Sequence, residues 1–155
     1  MIKLIRVDYR LIHGQVAVSW TASLGADAIL LVSDTLQNDT IRKETLLLAK
    51  PSNVKLVAKD TQGAIDILKS GKTDHYKVFV VCETLEIADK VARAVGEKQI
   101  NLGNIAFEEG KKKLDRSIYV DENDSELIKS LASDGFDVFL QMVPSDKKLE
   151  AVKLI

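Results

Sequence analysis

The chain is poor in the residues that usually build metal and redox chemistry: its 155 residues include one cysteine and two histidines. One cysteine makes neither an internal disulfide nor a cysteine-rich zinc site, and His13 and His75 lie too far apart in sequence to be the paired ligands of a metalloenzyme helix. An excess of one charge is also missing. With 22 Lys+Arg against 23 Asp+Glu and a net charge of -1, no broad cationic surface draws the chain to nucleic acid or an anionic membrane. No apolar run reaches the ~18 residues of a membrane span, and the opening MIKLIRVDYR sets charges inside the stretch where a signal peptide needs an uninterrupted apolar core. The expected location is the cytoplasm. Repeats, low-complexity tracts and Pro/Gly/Ser linkers are absent as well. Surface scaling gives about 7,700 Å² folded against roughly 25,000 Å² unfolded, enough burial for one core, so residues 1–155 are expected to form a single domain.

What is present is a set of seven stretches rich in Val, Ile, Leu and Phe, at 2–7, 28–33, 54–58, 77–82, 99–102, 117–120 and 137–143, each of which reads as a strand. Between most of them lie segments with helical spacing, clearest at Ile87, Ala88, Val91, Ala92 and Val95 and at Leu127, Ile128, Leu131 and Ala132. Asn38, Asp60, Thr84 and Asp124 stand at helix starts as caps, and Gly71 and Gly135 fall just past helix ends. Nearly all-apolar strands alternating with amphipathic helices predict an α/β fold: an open, mostly parallel sheet of about seven strands with helices on both faces. The segment 103–116 carries no amphipathic stripe and is short for a parallel crossover, so the sixth strand is expected to enter antiparallel.

In such a sheet the ligand crevice lies beyond the carboxyl ends of the strands. Those ends carry Asp8, Tyr9, Arg10 and His13, then Asp34, then Cys82 and Glu83, then Gly103 and Asn104, and last Pro144 and Ser145. The most informative stretch is RVDYRLIHGQV at 6–16. It sets an imidazole on a short loop ahead of a helix that starts near Gly14 and carries Val16 and Trp20 one turn apart. Free N–H groups at Gly14 and Gln15 favour an anion, and Arg10 adds a planar cationic donor suited to phosphate oxygens. An imidazole nucleophile beside these groups suits a phosphoryl group that is accepted and passed on. A lone loop histidine more often caps a turn or faces solvent.

The stretch 6–16 resembles the signature of the IIB component of the mannose/fructose/sorbose family of the phosphoenolpyruvate-dependent sugar phosphotransferase system. The resemblance extends to Asn38, Asp39 and Arg42, to NLGN at 101–104 with Gly110 and Lys111, and to MVPSD at 142–146, so it covers essentially the whole chain. It implies a phosphotransferase whose histidine, His13 here, takes a phosphoryl group through Nδ1 from the phosphohistidine of the IIA protein. His13 then passes it to a sugar entering through the IIC/IID membrane components, with Arg10 helping to hold the phosphate. It also implies a central seven-stranded sheet, peripheral association with the transporter, and no metal or organic cofactor. Tyr9 stands where the family often has an acid, and Ser33 precedes Asp34 where two acids are frequent. Neither departure touches the nucleophile; both alter its local electrostatics.

Asp8, with Asp34 in support, is expected to orient Arg10 or His13 or to cap the strand-to-helix turn, and Asn104, Phe107 and Ser145 to line the site. Asp39 is placed at the pocket border or at a helix start. Cys82 reads as a buried, inert core cysteine, His75 as surface, and Trp20 as core. The run at Lys111, Lys112 and Lys113 is either a solvated surface or a docking patch for an acidic partner. Apolar stripes serve a subunit interface as well as a core, which leaves a homo-oligomer open. The alternative function is a regulatory or nucleotide-binding α/β module of the same fold, against which stands the lack of a Gly-x-Gly-x-x-Gly fingerprint after the first strand.

Overall fold

Successive residues of a strand point to opposite faces of a sheet, and here the two faces receive different cargo. A computed structural model describes residues 1–155. The elements are β1 (Ile2–Asp8), α1 (Gly14–Leu24), β2 (Ala28–Val32), α2 (Thr40–Leu48), β3 (Lys55–Lys59), α3 (Thr61–Lys69), β4 (Val78–Cys82), α4 (Leu85–Val95), β5 (Gln99–Asn104), β6 (Lys112–Asp115), β7 (Ile118–Val120), α5 (Glu122–Ser133), β8 (Asp137–Leu140) and β9 (Leu149–Glu150). The main sheet has the order β3-β2-β4-β1-β5-β8-β9. All its pairings are parallel except the last, between β8 and β9. The chain is therefore α/β with a mostly parallel seven-stranded sheet, as its apolar runs imply.

Both faces are covered. Ile5, Val7, Val80, Ile100 and Leu102 point into a core closed by α3, α4 and α5 through Leu68, Ile87, Val91, Ile128 and Leu131. Leu4, Ile29, Leu31, Phe79 and Val81 point the other way, under Ala17 and Trp20 of α1 and Leu46 of α2. Strands buried on both sides need no polar alternation, which is why most of them read as continuous apolar runs.

The sixth apolar stretch is a departure. Instead of entering the main sheet antiparallel, β7 pairs antiparallel with β6 in a separate two-stranded ribbon, touching β5 only through an isolated parallel bridge between Ile105 and Ile118. The seventh place in the sheet, and its antiparallel pairing, go to the short β9. A segment without a crossover helix turns back on itself as a hairpin more readily than it crosses the sheet. Caps shift in the same local way. Asp60 and Thr84 cap as expected, α2 is capped by Asp39 rather than Asn38, and α5 by Asp121, with Asp124 returning the bond to the Asp121 N–H in a capping box.

One region of the α1-covered face is polar. On β1 the alternation places Arg6 and Asp8 beside Leu4, and the register opposes Arg6 to Asn101 of β5. Arg6, Asp8 and Asn101 are all fully buried. The Arg6 guanidinium donates to Asp8 Oδ2 (3.1 Å), Asn101 Oδ1 (2.7 Å) and the Gln141 carbonyl (3.2 Å), and lies 5.5 Å from the Trp20 ring centre. Space for it comes from Gly103, where a Cβ would fall on the guanidinium carbon. Burial by itself pushes the Asp8 carboxyl up. The His13 hydrogen bond, the Arg6 charge, the Asn104 amide and the His13 charge outweigh it and hold the group below the usual carboxylate range.

Two outcomes are expected. Gly103→Ala costs about 1–3 kcal/mol in urea unfolding, because an arginine bonded at each nitrogen has no room to retreat. Asp8 titrates in the folded protein below its unfolded value of about 3.9, so its stabilisation is complete above that pH and is lost as pH falls through the lower folded pKa. Asp8→Asn removes that acid-dependent component and, by stranding Arg6 without a countercharge, costs about 3–5 kcal/mol at neutral pH. An acid limb unchanged in Asp8→Asn would assign the titration to another group.

Candidate functional site

Asp8 ends β1, and the chain must leave the sheet there and enter a helix six residues later, at Gly14. It does so by a tight turn in which Leu11 N–H donates to the Asp8 carbonyl (2.9 Å) and Leu11 adopts a left-handed φ of 61°. A non-glycine residue in that conformation costs roughly 1–2 kcal/mol. Burial of the Leu11 and Ile12 side chains against the α1 side of the sheet offsets it. The turn delivers His13 to the N-cap of α1 in an extended conformation, with no side chain capping the helix and no acid in its first turn. Gly14 follows with φ +48°, exposed, and with open space where a Cβ would stand.

One oxygen organises the result. Asp8 Oδ2 accepts from Arg6, from Asn104 Nδ2 (3.1 Å) and from His13 Nε2 (3.1 Å), while Oδ1 accepts the Arg10 backbone N–H (3.0 Å). An ionised carboxylate only accepts, so the His13 proton sits on Nε2 and the Nδ1 lone pair is left open. The 3.5 Å approach of Asn104 Nδ2 to His13 Nε2 then sets two donors side by side, both aimed at Asp8. The His13 side chain is 15% exposed, enough for a reacting group to reach it.

The expected site residues separate into two sets. Asp8, His13 and Asn104 are in direct contact. Gly14 and Gln15 open α1, and Arg10 lies in the same loop with its side chain exposed. Asp34 is not brought to His13: β4 and β1 lie beyond β2 in the sheet, and the Asp34 carboxylate is taken by the Thr61 N–H and hydroxyl (2.9 and 3.0 Å) at the start of α3. Phe107 is exposed, its ring edge-on to Tyr119 at 5.5 Å, and Ser145 lies exposed in the loop between β8 and β9. Neither is joined to His13 by a hydrogen bond.

The remaining groups lie elsewhere. Cys82 is fully buried and its thiol is pushed up by burial, so it is no nucleophile. His75 stacks on Tyr76 (4.2 Å) in the turn before β4, where the Met1 amine binds the Tyr76 carbonyl. Trp20 is core, its Nε1 donating to the Met142 carbonyl (2.9 Å). Lys111 pairs with Asp124 (3.4 Å), leaving Lys112 and Lys113 as the exposed part of the lysine run.

Sequence reasoning gave no role to Arg6, Asn101 and Gln141, which support the site from below, or to Arg42 and Glu83 beside it, although Glu83 stood among the strand-end residues and Arg6, Asn101 and Arg42 within the resembling stretches. A signal for the first two was present. Ile5-Arg6-Val7-Asp8 and Ile100-Asn101-Leu102-Gly103 alternate apolar with polar or small residues in strands otherwise apolar throughout, the mark of one polar face inside a covered sheet.

Comparison with known proteins agrees with this geometry. The family profile described as the sorbose subfamily IIB component of the PTS system matches residues 2–155. The N-acetylgalactosamine-specific phosphotransferase enzyme IIB component 1 of Escherichia coli K12 is 34% identical over 150 residues, 95% of this chain and 94% of that one. The mannose-specific EIIAB component of the same strain is 33% identical, and this chain spans 48% of its length. The crystal structure of the IIBSor domain of the Klebsiella pneumoniae sorbose permease superposes with a TM-score of 0.94 at 26% identity, over 99% of this chain and 95% of that one. These matches favour a phosphocarrier over the regulatory or nucleotide-binding alternative. The chain belongs to the sorbose-subfamily IIB components of the sugar phosphotransferase system, the phosphotransferases that carry a phosphoryl group during sugar uptake.

Proposed function

We propose that His13 is the phosphoryl acceptor, attacking through Nδ1, and that the chain works in the cytoplasm between a phosphorylated IIA protein and a membrane sugar permease of the IIC/IID type. The observation that carries this reading is the 3.1 Å contact of His13 Nε2 with Asp8. It fixes the tautomer and leaves Nδ1 free. The partner on the donor side is supported by the fused EIIAB relative.

The Nδ1 lone pair forms a bond to phosphorus as the donor's own N–P bond breaks and its electron pair returns to the donor imidazole. The His13 ring keeps its Nε2 proton and becomes cationic beside Asp8, whose carboxylate stabilises that charge. A protonated N-phosphoimidazole is the better leaving group, so the same pairing favours the second transfer, in which a sugar hydroxyl oxygen attacks phosphorus, its proton passes to a base beside the sugar, and the N–P electrons return to Nδ1. Phosphoryl transfer needs alignment and charge stabilisation more than covalent help. Arg10 and the N–H groups of Gly14 and Gln15 supply them at the positive end of α1. Asn104 holds Asp8, and Arg6 balances its charge from within. Asp34, engaged by Thr61, has a structural part.

The test uses labelled phosphoenolpyruvate with enzyme I, HPr and a matching IIA. His13→Ala takes no acid-labile label, and Cys82→Ser labels like the parent chain. Asp8→Asn, assayed under conditions where it remains folded, labels more slowly on the order of 10²–10⁴-fold, the range for loss of a group that orients a working imidazole. Label on His13→Ala with none on Cys82→Ser would overturn the assignment.

A further inference from the structure

A second ion pair reaches the His13 loop from the opposite direction. Glu83 follows β4, and its backbone N–H donates to the Val32 carbonyl (3.0 Å), so the residue is held by β2 one step past the strand end. Its side chain is 14% exposed. Oε1 accepts from the hydroxyls of Ser33 (3.2 Å) and Thr35 (3.1 Å), and Oε2 pairs with Arg42 Nη1 at 2.5 Å. Arg42 stands in the first turn of α2, where its own N–H is taken by the Asp39 cap (3.0 Å), and its Nη2 donates to the Tyr9 carbonyl at 3.1 Å. That carbonyl belongs to the peptide linking Tyr9 to Arg10, whose N–H is held by Asp8 Oδ1. Thus one peptide unit is gripped from both ends, by a carboxylate inside the sheet and by a guanidinium from α2.

We propose that Glu83 is a positioning residue for phosphotransfer: it locks the Arg42 guanidinium onto the Tyr9 carbonyl and so sets the backbone from which Arg10 and His13 meet the phosphoryl group. The proposal rests on the reading of His13 as acceptor. The chemistry favours a carboxylate at 83. Two hydroxyls donate to Oε1, while Oε2 accepts no hydrogen bond and is compensated by the Arg42 charge alone, a pairing that needs an ionised, acceptor-only group. An arginine held by one carboxylate keeps a fixed fork, whereas a released one samples many rotamers. Glutamine would turn an N–H₂ group toward a donor. Small misplacements of reacting groups cost up to about 10²-fold in rate, so a residue that never touches phosphorus can still be read in the transfer rate.

The experiment measures initial rates of phosphoryl acceptance from labelled IIA at limiting and saturating donor for Glu83→Gln, Arg42→Gln and the double variant, with thermal unfolding of each. The expected result is a fall of about tenfold to a hundredfold in the saturated rate for each single variant, with the half-saturating donor concentration little changed. The double variant should be no slower than Arg42→Gln alone, because both substitutions break one device. Glu83→Asp, which keeps the charge, should recover part of the rate. A Glu83→Gln protein that accepts label at the parent rate, or single losses that multiply in full, overturns the role of Glu83 while leaving His13 in place. Label on His13→Ala in the same assay instead overturns the acceptor assignment beneath it.

Discussion

The site depends on one buried carboxylate having more donors than it can share evenly. Asp8 is fully enclosed, and its Oδ2 receives a guanidinium, an amide and an imidazole at 3.1 Å each. A carboxylate in a low-dielectric interior survives ionised only when such donors replace water. Because it is ionised it accepts, and because it accepts, the imidazole must present its proton to it. Tautomer, ring orientation and the open nitrogen all follow from keeping one charge in the core. The polar stripe of Arg6, Asn101 and the Gln141 carbonyl serves that end, since each member satisfies a donor or acceptor that would otherwise be orphaned beneath α1.

A phosphocarrier must hold its cargo without holding it too well. The inner half of the site is rigid: a charge network locked by strand register and covered by Trp20. The outer half is open, with Gly14, Gln15 and the Arg10 side chain in solvent. On the proposed role of His13, alignment at the nitrogen with exposed donors beside it suits a group that must be reached from two directions in turn. The uncapped start of α1 fits the same logic, because an acid there would have occupied the amide groups that face an arriving anion.

The fold class was legible because a sheet covered on both faces leaves a strong trace: unbroken Val, Ile and Leu runs such as Val78–Cys82, separated by stripes such as Ile87, Ala88, Val91 and Ala92. The loop with His13 was legible for a similar reason, since strand ends and helix starts carry their own residue chemistry. What sequence could not carry was pairing between distant segments. That 117–120 joins 112–115 rather than the main sheet, and that Leu149–Glu150 takes the antiparallel place, depends on register and hairpin closure across the fold. Asp34 illustrates the same limit within the site. Being at a strand end puts it on the right edge, but the order β2-β4-β1, invisible along the chain, hands it to Thr61. The grip of Arg42 and Glu83 on the loop is likewise a meeting of α2, β4 and β1 that no local spacing announces.

The fit of Arg6 into the space beside Gly103 has a consequence for how such a chain can drift. The two residues are 97 positions apart, yet they share one volume: the guanidinium occupies the place where a side chain at 103 would stand. Any change at either position is therefore judged by the other. A larger residue at 103 loses stability while the arginine keeps its length, and a shortened residue at 6 strands Asp8 before anything can fill the gap. Each single step passes through a worse protein, so the pair is locked less by what either residue does than by the lack of a downhill path between combinations. Among related sequences, positions 6 and 103 should be fixed together or exchanged together.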